Sequence, residues 1–210
     1  DPEIFKLMGS GHTAGVFQVE SAGMTATIKN MKPTEYKHVV ALIALYRPGP
    51  LGAGMVSSYI NRMNGKEPAV SYDDRLDDIL GETYGTMVYQ EQVMQIVRDL
   101  AGYTLGRSDL VRRAMSKKKA AVMAKERQNF VYGNEEQGIK GCIANGISEQ
   151  AANKIYDSMV DFAKYAFNKS HAAAYAVVSY QTAYLKYYYP KEFMAALMSS
   201  VMDNVSKFSE

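Results

Sequence analysis

Apolar and polar residues recur along most of this chain with the period of a helix, and glycine and proline cut the pattern into segments. Residues 90 to 102, 107 to 133, 148 to 166, 169 to 189 and 190 to 202 read as helices from periodicity and caps. Asp1 followed by Pro2 has the chemistry of a cap and a first turn, and Ser21 is placed to cap a helix over 21 to 31. The run EYKHVVALIALY, 35 to 46, is apolar almost all round after residue 38, as in a buried helix, and RPGP at 47 to 50 is expected to end it. A further helix is expected over 51 to 65, stopped by Asn64 and Gly65. From 66 to 86 the pattern weakens, and the segment reads as mostly loop with at most a short helix. Only VFQV at 16 to 19 and TMVY at 86 to 89 look like strands. GNEEQGIKGCIANG, 133 to 146, carries four glycines and reads as a flexible connector or tip. The pattern therefore predicts a mainly α, multi-helix architecture with at most short strands and no repeats.

Composition narrows the class. A chain of 210 residues that is 47% hydrophobic is long enough for one large domain or two small ones. With 22% charged residues and a net charge of +2, bulk charge argues for neither disorder nor wholesale nucleic-acid binding, so any basic surface is local. The single Cys142 excludes an internal disulfide and a multi-cysteine zinc site, and fits a reducing compartment. No apolar run approaches the length of a membrane span and the amino-terminal stretch lacks a signal-peptide layout, so the expected location is cytoplasmic with no membrane partner. The chain starts at Asp1 without a Met and ends abruptly after MDNVSKFSE, and reads as a domain cut from a longer protein.

Two clusters have chemistry to offer. In LVRRAMSKKK, 110 to 119, a continuous helix would set Arg113 four residues from Lys117 and Arg112 seven from Lys119, two rows of cations on one side, apart from Val111, Ala114 and Met115. Such a fan suits a solvated face, and it suits a phosphate clamp in which guanidiniums act as forks and lysines as point charges. Asp109 is placed to hold Arg113. The second cluster is YAFNKSHAAAYAVVSYQTAY, 165 to 184. Asn168 or Ser170 can cap its helix, which puts Lys169 and His171 beside a helix N-terminus that favours an anion. His171, Tyr175 and Ser179 share a face left uncrowded by alanines 172 to 174, a seat for a base above its phosphates. The same residues also suit a hydrogen-bonded core.

Other motifs fail. No G-x-x-x-x-G-K-[ST] loop is present, since Gly65-Lys66 precedes Glu67 and Lys169-Ser170 lacks the glycines. His12, His38 and His171 are too scattered for a metal site, and no nucleophile triad has the spacing, so no catalytic or metal-ligating residue is assigned. NKS at 168 to 170 and NVS at 204 to 206 match the glycosylation pattern only formally. The pairs Asp73-Asp74 and Asp77-Asp78 read as a solvated loop rather than metal ligands.

Six blocks carry a resemblance: GVFQVES (15 to 21), ALYRPGPL (44 to 51), TYGTMVYQEQVMQI (83 to 96), GYTLGRSDLVRRAMSKKK (102 to 119), FAKYAFNKSHAAAYAVVSYQTAYLK (162 to 186) and YPKEFMAALMSSVMDN (189 to 204). In sequence and in order they resemble the fingers domain of the C-family polymerases, the bacterial replicative DNA polymerase III alpha subunits. The resemblance implies a connection from the palm over 1 to 20, helical fingers over 21 to 204, and the start of a following segment or a tail over 205 to 210. It implies binding of the incoming deoxynucleoside triphosphate and templating base, with primer-template DNA, the polymerase's other domains and other replisome subunits as partners. By the family's motifs, Arg112 and Arg113 reach the triphosphate, Lys117 to Lys119 add attraction, and Asn168, Lys169, His171 and Tyr175 line the nucleotide pocket. The Mg2+ ions of the full polymerase would sit on palm carboxylates outside this chain, so the fragment alone is expected not to catalyse. Lys164 and Ala166 flank Tyr165 where relatives often carry glycine, a small departure. The rival expectation is a non-catalytic helical module that binds nucleic acid or a partner protein through the face at 112 to 119.

Overall fold

Asp1 accepts the backbone N–H of Glu3 at 2.9 Å and Pro2 supplies the first turn, so helix α1 (Pro2–Ser10) starts there. The computed structural model describes residues 1–117 and 120–202. After α1 come α2 (Ala22–Met31), α3 (Tyr36–Leu45), α4 (Pro48–Gly52), α5 (Met55–Met63), α6 (Asp74–Leu80), α7 (Gln90–Ala101) and α8 (Leu105–Ser116). Then follow α9 (Ala120–Tyr132), α10 (Glu149–Ala163), α11 (Lys169–Tyr188) and α12 (Pro190–Ser200). No strand forms among the described residues, and none of their helices is long and apolar enough to cross a membrane.

The chain divides into two units. Unit 1 comprises Asp1–Ile43 and the described residues from Ser170 onward; unit 2 is Ala44–Lys169. The backbone passes between them within α3 and again at the first residue of α11.

Unit 2 is built around α7. Val93, Ile96, Val97, Leu100 and Ala101 recur at helical spacing and are at most 1% exposed. Around them pack α6, α8, α9 and α10, which contribute Leu76 and Ile79, Val111 and Met115, Phe130, and Ile155, Tyr156 and Met159. Burying each of the larger side chains contributes about 1.5 to 3 kcal/mol.

In unit 1, α1 and α2 bury Ile4, Met8, Ile28 and Met31. Helix α11 turns a face of small residues inward, Ala172, Ala176, Ser179 and Ala183. Long-range hydrogen bonds tie it down: the Phe17 N–H donates to Thr182 Oγ1 at 3.0 Å and the Tyr36 hydroxyl to the Ala173 carbonyl at 2.6 Å.

Both expected strands are absent, for different reasons. At 16 to 19 the buried residues are Val16 and Val19, three apart, and two tight turns link Val16 to Thr13 and Val19 to Val16. At 86 to 89 the backbone is open, but the Gln92 side chain accepts the N–H groups of Val88 and Tyr89 at 2.9 and 3.0 Å, and the only ladder contact there is a bridge between Tyr89 and Phe167. A side chain has taken the donors that a neighbouring strand would have used.

Several boundaries also move. RPGP does more than stop α3, because Pro48 takes the first position of α4 behind an extended Arg47. The helix expected over 51 to 65 breaks at Gly54, whose φ of 72° is left-handed. The helix expected over 107 to 133 is two helices. Lys117 closes α8, its N–H donating to the Arg113 carbonyl, where the negative end of the helix dipole favours a cation. Lys118, Lys119 and the tail at 205 to 210 lie outside the described residues. The acidic run at 73 to 78 is a helix rather than a loop: Asp73 caps α6, its carboxylate takes Arg75 Nε at 2.8 Å, and Leu76, Ile79 and Leu80 reach the core.

The glycine-rich segment at 133 to 146 is packed, not a free tip. Asn134 and Ile139 bond each other at 2.8 and 2.9 Å, Gly141 N–H donates to Ala101 O and Cys142 N–H to Phe130 O. Ile139, Cys142 and Ile147 enter the core of unit 2. Gly133 and Gly141 lie so close that a Cβ on either would collide with backbone, of Lys140 in one case and of Gly133 in the other.

Candidate functional site

Helix α8 presents the paired arginines. Thr104 caps it by accepting the Arg107 N–H at 3.3 Å, and Val111 and Met115, both 2% exposed, fix the face that points into unit 2. Arg112 and Arg113 fall on the remaining arc. The Asp109 carboxylate sits between them: Oδ1 receives Arg112 Nε at 2.9 Å and NH2 at 2.7 Å, and Oδ2 receives Arg113 Nε at 2.7 Å. These guanidiniums, Arg112 first, hold the Asp109 carboxyl below the usual carboxylate range. The two arginines differ in freedom, with the Arg112 side chain 21% exposed and that of Arg113 62%. Lys117, at the end of the helix, is exposed.

Arg112 also reaches beyond its own helix. Its NH1 donates to Gln90 Oε1 at 3.0 Å on the first turn of α7. The neighbouring Glu91 receives the second cluster: Asn168 Nδ2 donates to Oε1 at 2.7 Å and the Lys169 N–H to Oε2 at 3.0 Å. Lys169 Nζ meets both oxygens of Glu82 at 2.7 Å and lies 5.4 Å from the centre of the Tyr89 ring. Burial raises the Tyr89 phenol, so it stays neutral beside that ammonium. Arg47 supports the same segment, since its guanidinium lies 4.7 Å from the Phe167 ring and donates to the Tyr165 carbonyl.

Within unit 2, then, Arg112, Asn168 and Lys169 come together on adjacent residues of one helical turn, with Arg113 beside Arg112. His171 and Tyr175 belong to unit 1. Their rings lie 4.3 Å apart at 32°, and Phe17 lies 5.5 Å from Tyr175. Both are exposed, which removes the expectation of packed core side chains. Ser179 departs from the expected shared face: it is fully buried and its hydroxyl turns back to the Tyr175 carbonyl at 3.2 Å. The alanine run is also divided, because Ala172 is buried in the core while Ala174 is exposed.

Gln90, Glu91, Glu82, Tyr89 and Arg47 were not singled out by residue pattern. A Gln-Glu pair opening a helix is ordinary first-turn chemistry, and nothing in local spacing reveals a bond from residue 91 to residue 168. What the arrangement offers chemically is a set of guanidinium and ammonium donors held in fixed directions by carboxylates, suited to a polyanion with several oxygens. Among the described residues no three His, Cys, Asp or Glu side chains gather to hold a metal ion.

Comparison with known proteins shows the family to which the chain belongs. Residues 1–138 match the model of the bacterial DNA polymerase III alpha subunit finger domain, a stretch that includes Arg112, Arg113 and Lys117. The DNA polymerase III subunit alpha of Haemophilus influenzae is 52% identical over 213 residues, covering 99% of this chain and 18% of that protein. Its counterpart in Thermus aquaticus is 49% identical over 216 residues, 100% of this chain and 17% of the relative, and that of Escherichia coli is 49% identical over 213 residues, 99% and 18%. The chain thus spans under a fifth of the length of the relatives it matches. With a finger-domain match over more than half its residues and relatives aligned along essentially all of it, the chain belongs to the family of bacterial DNA polymerase III alpha subunit finger domains.

Proposed function

We infer that this chain is the part of a replicative DNA polymerase that holds the incoming deoxynucleoside triphosphate and faces the templating base during template-directed synthesis. The observation that carries the reading is the fastening of Arg112 and of Asn168 and Lys169 to neighbouring residues of one turn, Gln90 and Glu91. In this reading Arg112, Arg113, Lys117 and Lys169 attract and align phosphate oxygens and Asn168 adds a neutral donor. His171 and Tyr175 offer ring faces to sugar or base. Phosphoryl transfer asks mainly for positioning and charge stabilisation, which fixed cations supply.

A two-metal reaction also needs carboxylates free to hold cations. At this cluster the carboxylates Glu82, Glu91 and Asp109 are each engaged by donors of this chain. Magnesium would be held by palm carboxylates elsewhere in the full polymerase. Primer-template DNA, the remaining polymerase domains and other replisome subunits are the partners this role entails, in the cytoplasm.

The test is Arg112→Ala in the full polymerase, followed by single-turnover incorporation against nucleotide concentration. Loss of charge-assisted phosphate contacts is expected to reduce efficiency roughly ten- to hundredfold with little change in primer-template affinity. A defect confined to DNA affinity, with a smaller salt slope, would favour a nucleic-acid-binding module instead. Unchanged kinetics would remove the phosphate role.

A further inference from the structure

Helix α11 begins at Lys169, and its first N–H is already engaged. Glu91 Oε2 accepts it at 3.0 Å while Oε1 accepts the Asn168 amide at 2.7 Å, so a carboxylate from α7 takes the first of the N–H groups that this helix start offers. Glu91 itself lies in the first turn of α7, where an acidic side chain is favoured. Gln90 completes the junction from the preceding position. Its N–H donates to the Phe167 carbonyl at 2.9 Å and its side chain accepts Arg112 at 3.0 Å. Residues 167 to 169 and Arg112 are thereby referred to one rigid turn, although they come from distant parts of the sequence.

We propose that Glu91, assisted by Gln90, is a positioning residue of the nucleotide site: its carboxylate aligns Asn168 and Lys169 with Arg112 and takes the first N–H of α11. The proposal rests on the nucleotide reading given above. A carboxylate near a triphosphate has two opposed effects, repelling the ligand and fixing the donors that bind it. Both Glu91 oxygens are turned onto donors of the protein, which spends their charge locally and makes alignment the larger effect. The guanidinium and ammonium side chains then meet the phosphates from directions that this junction sets.

The experiment compares Glu91→Ala, Glu91→Gln, Asn168→Ala and the Glu91→Ala/Asn168→Ala double variant in the full polymerase, measuring single-turnover nucleotide dependence and primer-template affinity. Glu91→Ala should raise the half-saturating nucleotide concentration about tenfold, with maximal rate and DNA affinity nearly unchanged. Glu91→Gln should recover part of this, since its carbonyl oxygen still accepts one of the two donors. The double variant should be little worse than Glu91→Ala, because the two residues act through one contact. An unchanged or lowered half-saturation in Glu91→Ala, a Glu91→Gln no better than Ala, or parallel loss of nucleotide and DNA binding would overturn the proposal. Arg112→Ala run alongside separates the two levels. If it shifts nucleotide dependence while Glu91→Ala does not, the positioning role alone fails; if it shifts nothing, the phosphate reading fails.

Discussion

Asp109 and Arg112 are joined at one oxygen by two nitrogens: Oδ1 takes Nε at 2.9 Å and NH2 at 2.7 Å. The third nitrogen, NH1, goes to Gln90 at 3.0 Å. Every nitrogen of this guanidinium is thus directed by a protein acceptor, whereas Arg113 is held through Nε alone in the described contacts.

That difference predicts unequal tolerance of lysine. Arg112→Lys cannot reproduce a planar fork, and nucleotide efficiency is expected to fall nearly as far as in Arg112→Ala, by roughly tenfold or more. Arg113→Lys keeps an exposed cation at the same rim and should retain most activity. Single-turnover kinetics in the full polymerase check this, and the reverse ranking would count against the roles assigned here.

Tyr175 meets His171 and Phe17 through its ring. Under the proposed role, Tyr175→Phe should be mild and Tyr175→Ala should raise the nucleotide KM, with non-additive loss when combined with His171→Ala. Equal damage from Phe and Ala would assign the contact to the hydroxyl. Strict additivity would separate the two rings functionally.

Cys142 is fully buried, and burial pushes its thiol up from the ordinary 9.0 to about 12. It should resist alkylation in the native chain at pH 8 and react on addition of denaturant. The folded state holds this proton more tightly than the unfolded state. The contribution to stability is therefore complete below pH 9.0 and is lost as pH rises towards 12. Tm is expected to fall between pH 9 and 10 in the native sequence and to fall less in Cys142→Ala. Buried Tyr89, Tyr103 and Tyr156, also raised from 10.0, add a loss that begins near pH 10 and is shared by both proteins, so the difference between them reports Cys142. Identical pH profiles would dismiss the linkage.

Glu126 links α8 to α9: Arg107 NH2 donates to Oε1 at 2.6 Å and the Tyr103 hydroxyl to Oε2 at 2.9 Å, with Glu126 only 8% exposed. Glu126→Ala strands a partly buried guanidinium and a buried phenol, and should cost about 3 kcal/mol, the lower end for a broken buried pair. Denaturant titration would show it. A shift below 1 kcal/mol would mean that water replaces the carboxylate.

How far the sequence revealed this molecule depended on distance along the chain. Helix α7 was expected over 90 to 102 and spans Gln90–Ala101, because its stripe and its terminal glycine are local signals. Ser21 caps α2 as its position implied, accepting from Met24 at 3.4 Å. The break after α8 was missed because periodicity continues across it, whereas the accumulated lysine charge and the dipole end favour stopping. The 133 to 146 loop was misjudged because glycine signals left-handed backbone and close approach as readily as mobility, and here Gly133 and Gly141 serve close approach. For the candidate site, local spacing and the family resemblance reached the cations. The carboxylates that hold Asn168 and Lys169 across 77 and 87 residues of sequence are tertiary facts with no local trace.

The division of unit 1 into two stretches of sequence, with all of unit 2 between them, has a consequence for how the protein is made. A ribosome delivers residues 1 to 43, then the whole of 44 to 169, before Ala172, Ala176 and Ala183 exist. At about ten residues per second that interval lasts on the order of ten seconds, ample for unit 2 to bury its core around α7. For the same interval Ile4, Met8, Ile28 and Met31 lack the helix that completes their unit. Of the two units, unit 1 is therefore the later to close, and residues 1 to 43 wait longest with apolar side chains uncovered.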